Sequence, residues 1–409
     1  MKKAIALSLM TSTLLLASGY RLPESSINST ALSGAYIANA HGADAAYYNP
    51  ANMAFGSDRS YAEGAITYIN LGSIKYSDRR GALFSGKTKD ENLIAPSLFF
   101  ASRSYNGLRY GLSLNVPGGL SKRWDSPYQE LFAKEFTLKI IEFNPSLAYR
   151  IGDQFAIGGG LRIIYSEGVV KSDGMPITTA SGGAVNKPAA RDMEADTTEY
   201  GYNLALTYKP ISNLHIAATY RSNVDLNHEG NAKLYLSGTK LYDGGASVEV
   251  PLPAVAALAL SYDLGDTVVE VEWDRTFWSK YKKLDFEFKD SVPAALRAAF
   301  DAPQPRAWDD TDAYRIGITH QLTGALTLMG GFAIDENPAP DRNLGFELPD
   351  SDAKIVSAGF RYRYSNQLTL GASVLYDSKE KRTVTNDAVN GTFKDGSATL
   401  VTMGVAYSY

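Results

Sequence analysis

Along the last eleven residues of the chain, "TLVTMGVAYSY", apolar residues alternate with small or polar ones up to the final residue. Val401, Met403, Val405, Tyr407 and Tyr409 form one set, and Thr402, Gly404, Ala406 and Ser408 the other. A repeat of two is that of a β-strand, so the pattern predicts one greasy face and one small, polar face. The same alternation recurs in Phe155, Ile157, Gly159, Leu161, Ile163 and Tyr165, in Tyr200, Tyr202, Leu204, Leu206 and Tyr208, and in Leu368, Leu370, Ala372, Val374 and Tyr376. Each run has about the ten-residue length of a tilted strand that crosses a bilayer. The opposite faces carry Gly158, Gly160 and Arg162, or Gly201, Asn203 and Thr207.

Short polar connections join such runs at 104–108, 150–155, 209–214, 263–267, 321–326 and 363–368, each with Gly, Asn, Asp or Pro to supply hairpin backbone angles. Much longer segments, such as 167–196, 276–311 and 379–397, separate one hairpin from the next. Short and long connections in alternation are the pattern of an outer-membrane barrel, with tight turns on the periplasmic side and long loops outside. The hairpins, a first strand near Tyr61–Ile69 and the terminal strand predict an all-β fold, a transmembrane antiparallel barrel of about 14 strands. A β-sandwich seldom holds so many strands, and in lipid the sheet must close on itself to pair its backbone.

Lys2 and Lys3 precede an apolar run from Ala4 to Ala17, too short to span hydrocarbon and suited to a secretory signal. The expected organisation is a signal peptide at 1–17, an Ala-, Gly- and Ser-rich plug at 18–57, and the barrel at 58–409. The net charge of -4 excludes a nucleic-acid binder that works through a basic face. The chain has no cysteine, which excludes disulfides, thiolate metal sites and cysteine nucleophiles. Its four histidines lack metal-motif spacing and no G-x-S-x-G occurs, so neither a metal, a cofactor nor a catalytic constellation is expected.

Five stretches in order, "SGYRLPE", "GADAAYYNPANM", "NVPGGLSKRW", "VEWDRTFWSKYKKLDF" and "DENPAPDRNLGFELPDSD", resemble the long-chain fatty-acid transporter family of outer-membrane proteins (FadL-like), which includes aromatic-hydrocarbon importers. The resemblance implies a barrel closed by an N-terminal hatch, with the plug motif at Asn49, Pro50 and Ala51. It implies passive uptake of a hydrophobic small molecule, most simply a long-chain fatty acid, released sideways into outer-membrane lipid through a kinked strand. The terminal aromatic resembles the signal read by the outer-membrane barrel assembly machinery.

Candidate site residues follow. Asn115, Pro117, Gly118 and Gly119 interrupt an alternating run, because proline cannot donate to the ladder and glycine tolerates a bend. The interruption reads either as a loop start or as a kink that opens the wall, and the resemblance favours the kink. A short helix near 293–301, capped by Ser291, would put Leu296, Ala299 and Phe300 on one apolar face, either to capture ligand outside or to pack on other loops. By strand parity Glu142, Arg162, Arg221, Glu270, Glu272, Arg315 and Arg361 face the lumen. Arg162 and Arg315 are the candidates for a ligand head group, unless charge ladders between adjacent strands use them. A general porin and a surface adhesin barrel are the competing functions.

Overall fold

The computed structural model describes residues 19–409, so the expected signal peptide lies outside the described residues. The wall is one closed antiparallel sheet whose first and last strands pair, from Tyr61 opposite Ser408 to Leu71 opposite Ala398. Its fourteen strands in chain order begin with β1 (Tyr61–Leu71), β2 (Glu91–Ala101), β3 in two pieces (Leu108–Asn115 and Gly119–Arg123), β4 (Glu135–Ile151) and β5 (Phe155–Asp173). There follow β6 (Ala189–Ile211), β7 in two pieces (Leu214–Arg221 and Val224–Leu236), β8 in two pieces (Thr239–Leu252 and Val255–Asp263) and β9 (Thr267–Thr276). The last are β10 (Thr311–Gln321), β11 (Leu326–Asp335), β12 (Ala353–Arg363), β13 (Leu368–Lys379) and β14 (Ser397–Ser408).

Alternation dictates this wall. Leu204 and Met403 are 56% and 61% exposed, and they belong to an outward apolar band that only lipid would cover. Exposed tyrosines bound the band, with Tyr149, Tyr262, Tyr362 and Tyr407 towards the short turns and Tyr68, Tyr165, Tyr200, Tyr314 and Tyr376 towards the long loops. Glu142, Arg162, Glu270, Glu272 and Arg315, placed inward by parity, are all buried.

One expectation changes. The segment 167–196 is mostly strand, because β5 runs to Asp173 and β6 starts at Ala189, pairing from Glu167–Asp196 to Asp173–Ala190. Beyond the lipid its outward positions become charged (Glu167, Glu194), so the ladder continues in water while the apolar signal ends. Similarly, β7 and β8 project past the band to a tight turn at Ser237 and Gly238, both with positive φ (49° and 81°).

Residues 20–54 are mostly buried, with three short helices, α1 (Ile27–Ala31), α2 (Ala45–Tyr48) and α3 (Pro50–Met53). They touch inward side chains around the wall, from Thr402 of β14 to Thr207 of β6. Outside, the loops fold over the barrel mouth with α4 (Pro127–Ala133), α5 (Met175–Ala180), α6 (Ala294–Phe300) and a small sheet that joins Lys75–Asp78 to Asn390–Lys394. Trp124, Tyr76, Tyr128 and Phe393 pack there around Phe346.

Candidate functional site

The break in β3 comes where Pro117 removes a donor. Its first piece stops at Asn115 and its second starts at Gly119. Val116–Gly118 turns to the N-terminal segment instead: Leu22 N–H donates to Pro117 O (2.9 Å) and Gly119 N–H to Tyr20 O (2.8 Å). A Cβ on Gly118 would stand 2.4 Å from Tyr20 O, so this close approach requires glycine. The bend costs β2 its neighbour. The β2–β3 ladder ends at Leu98 opposite Leu114; among the described residues, the ladder along Glu91–Ser97 of β2 is the one with β1. Above this opening Arg123 bridges Glu91 (2.5 Å) and Glu135 (2.7 Å). Beside it the buried side-chain polar atoms of Ser97, Ser113 and Asn115 have no hydrogen-bond partner among the described residues.

The N-terminal segment is held by inward side chains that parity alone could not pair. The Glu270 carboxylate accepts N–H bonds from Ile37 (2.7 Å), Ala38 (2.7 Å) and Asn39 (2.8 Å), while Glu272 accepts from Tyr36 N–H (3.1 Å). The carbonyls of this strap are met from the other side, Asn49 Nδ2 donating to Ile37 O (2.8 Å) and Asn52 Nδ2 to Ala38 O and Ala40 O (both 3.0 Å). Asn49 Nδ2 also reaches Thr207 Oγ1 (2.9 Å) on β6. Pro50 opens α3 at its first position, where no amide donor is needed. Ala51 N lies 2.5 Å from where a Gly158 Cβ would stand. Thus Asn49, Pro50 and Ala51 fix one short helix to the wall and the strap to that helix.

Both candidate arginines are engaged. Arg162 Nη2 lies 2.9 Å from Glu142 and its Nη1 donates to Ser222 O (2.6 Å); Arg221 also pairs with Glu142. Arg315 contacts Asp274 (2.8 Å), Asp335 (3.3 Å) and Glu24 (3.5 Å) and donates to Ser33 O (3.0 Å). These are charge ladders, extended into the N-terminal segment. Glu270 and Glu272, which sit on the strand beside Arg315, form no ion pair with it among the described residues, because they serve the strap backbone.

An apolar space lies above, where β3, β4, β7 and β8 meet the loops. An empty volume of about 850 Å³ is lined by Tyr20, Leu120, Leu138, Val170, Val250, Phe286, Trp308 and Leu344 among others, with neither Arg162 nor Arg315. Its polar corner carries Arg306, paired to Glu347 at 2.9 Å. Beside that corner is a cation the sequence reading missed. Arg191 of β6 is buried, its guanidinium 4.9 Å from the Phe286 ring and 5.7 Å from the Phe300 ring. Its Nε has no acceptor, and the guanidinium has no hydrogen bond or ion pair among the described residues.

The loop helix α6 forms one residue inside its expected limits, after Pro293 rather than a Ser291 cap. Leu296 and Phe300, four apart, are buried, whereas Ala299 is exposed, so the three do not share a face. Phe300 enters the site as the ring over Arg191.

Residues 8–409 match the family model "Outer membrane protein transport protein (OMPP1/FadL/TodX)". The chain is 24% identical to a long-chain fatty acid transport protein of Escherichia coli, covering 100% of this chain and 98% of that one. It is 26% identical to the 47 kDa outer membrane protein of Pasteurella multocida, over 96% and 94% of the two chains. Among solved structures, a FadL homologue of Pseudomonas aeruginosa superposes with a TM-score of 0.78 at 19% identity, covering 95% and 99%. The toluene transporter TodX of Pseudomonas putida gives 0.69 at 19%, covering 94% and 97%. A closed, fourteen-stranded outer-membrane barrel matched along nearly its whole length identifies the chain as a member of the OMPP1/FadL/TodX family of outer-membrane transport proteins.

Proposed function

We propose that the protein takes up long-chain fatty acids by passive diffusion, the N-terminal segment acting as a plug and the broken β3 as the way out into the membrane. The observation that carries this reading is an apolar cavity whose lining includes Phe286, Arg306 and Glu347, with the buried Arg191 guanidinium behind it on the Phe286 ring. Arg306 is paired with Glu347; Arg191 lies against two ring faces and feels the same carboxylate without a hydrogen bond or ion pair to it among the described residues. A carboxylate would supply the missing acceptor in a desolvated site, while the alkyl chain would lie along Leu120, Leu138 and Val170.

Leu120 belongs to the second piece of β3, so the cavity adjoins the opening beside β2. A tail that leaves there enters hydrocarbon and avoids periplasmic water, a difference of about 0.8 kcal/mol for each methylene. The polar atoms of Ser97, Ser113 and Asn115 line that side of the wall and suit a head group that follows its tail.

Aromatic-hydrocarbon uptake is the second reading, favoured by the mainly apolar lining of the cavity and by the toluene transporters among the structural neighbours. The test is equilibrium binding of a fluorescent long-chain fatty acid to detergent-purified protein, with oleate and toluene as competitors. Displacement by oleate supports fatty-acid uptake; displacement by toluene alone moves the function to hydrocarbons. Absence of saturable binding contradicts both.

A further inference from the structure

Two more cavities lie along the N-terminal segment, and one strap of chain separates them. The upper, with an empty volume of about 700 Å³, is lined by Ile37, Thr219, Arg221, Ala257 and Glu272 among others. The lower, about 470 Å³, is lined by Ala38, Asn39, His41, Arg109, Lys209 and His215 among others, and lies at the short-turn end of the wall. Successive inward positions of β7 step from one to the other: Thr219 faces the upper cavity, Ala217 packs on Ile37 and Ala38, and His215 faces the lower. The wall behind the strap is therefore alanine, with Ala257 and Ala259 of β8 beside Ala217. What stands between the two cavities is the chain at residues 37–39, with Ile37 packed on Ala217.

Glu270 holds the strap's amides, opposite the Asn49 and Asn52 side chains that hold its carbonyls. Its Oε1 accepts from Ile37 and Ala38 and its Oε2 from Asn39, and no cation pairs with it among the described residues. The lower cavity has the opposite charge. No carboxylate is among its lining residues, Lys209 Nζ stands 4.1 Å from the Phe55 ring with no ion pair among the described residues, and Arg109 is buried with its Nε lacking an acceptor.

We propose that the strap at residues 37–39, pinned by Glu270, is the closed gate of a second route, from the lumen to the periplasm, which takes small anions. This route is separate from the lateral way out and does not rest on the fatty-acid reading. Chloride is the probe, in planar bilayers bathed in KCl. The wild-type protein should be silent, and E270A should show resolved conductance steps whose reversal potential in a salt gradient has the anion-selective sign. Adding K209E to E270A should shift that potential towards cations. Assembly is read independently from heat-shifted migration in gels and from fluorescent fatty-acid binding, which E270A should leave unchanged.

If E270A does not assemble, E270Q serves. It keeps the shape but turns one oxygen into an N–H donor against the strap, so it too should conduct with the same selectivity. An assembled variant that stays silent, or steps that favour potassium, would overturn the proposal.

Discussion

Arg191 offers the sharpest test of what the apolar cavity recognises. Replacing it with methionine keeps an unbranched apolar stem between Phe286 and Phe300 and removes only the charge and its donors. A hydrogen bond to a charged group contributes about 1.5–3 kcal/mol. At about 1.4 kcal/mol per tenfold, R191M should therefore weaken oleate binding by roughly 10- to 150-fold. Oleyl alcohol has the same tail without the charge, and its affinity should stay within about threefold, a change of under 1 kcal/mol. The lost ring contacts of the guanidinium affect both ligands alike, so the ratio of the two affinities isolates the head group. Displacement of a fluorescent fatty acid from purified protein by each competitor measures that ratio. If R191M weakens both ligands equally, or neither, Arg191 does not hold the carboxylate and the head-group argument fails.

The neighbouring charges give further outcomes. R306M leaves the Glu347 carboxylate without its partner beside the cavity, so oleate affinity should fall further than in R191M and recover in the double variant R306M/E347Q. R315A removes the cation that Asp274, Asp335 and Glu24 share, at a cost of about 3–5 kcal/mol; heat-shifted migration should be lost at lower temperature while the oleate-to-oleyl-alcohol ratio of assembled protein stays unchanged. G118V sets a side chain against Tyr20 O, where a Cβ alone would stand 2.4 Å away, so it should displace the N-terminal segment around Tyr20. Since Tyr20 lines the apolar cavity, the fluorescence titration should show weaker fatty-acid binding in G118V as well as slower uptake by cells.

The wall was legible because a repeat of two survives in any strand with lipid on one face and a polar lumen on the other. Met403, Val405 and Tyr407 point outward in the structure as their alternation requires. The break in β3 was legible as an interruption, since Pro117, Gly118 and Gly119 disrupt pairing wherever they stand; that it folds inward against Tyr20–Leu22 was not, because this contact joins segments far apart in sequence. Parity placed Glu270 in the lumen but could not supply its partners, which are backbone amides of a segment with no period. Arg191 was hidden twice over. It lies in a stretch whose charged outward positions read as loop, and its ring partners Phe286 and Phe300 come from a loop about a hundred residues away. In α6 the error was one of angle. Leu296 and Phe300 are one turn apart, and Ala299 falls on the side turned to solvent.

The central claim is that ligand leaves sideways between β2 and β3. Ser97 and Asn115 occupy the next positions beyond the last ladder pair, Leu98 and Leu114, and the chain has no cysteine of its own. In S97C/N115C an oxidant should join the two edges across the opening, and uptake of radiolabelled oleate by cells should stop while binding to purified protein persists. Reductant should restore uptake. Oleate entering at the full rate through protein in which the cross-link has formed would contradict lateral release.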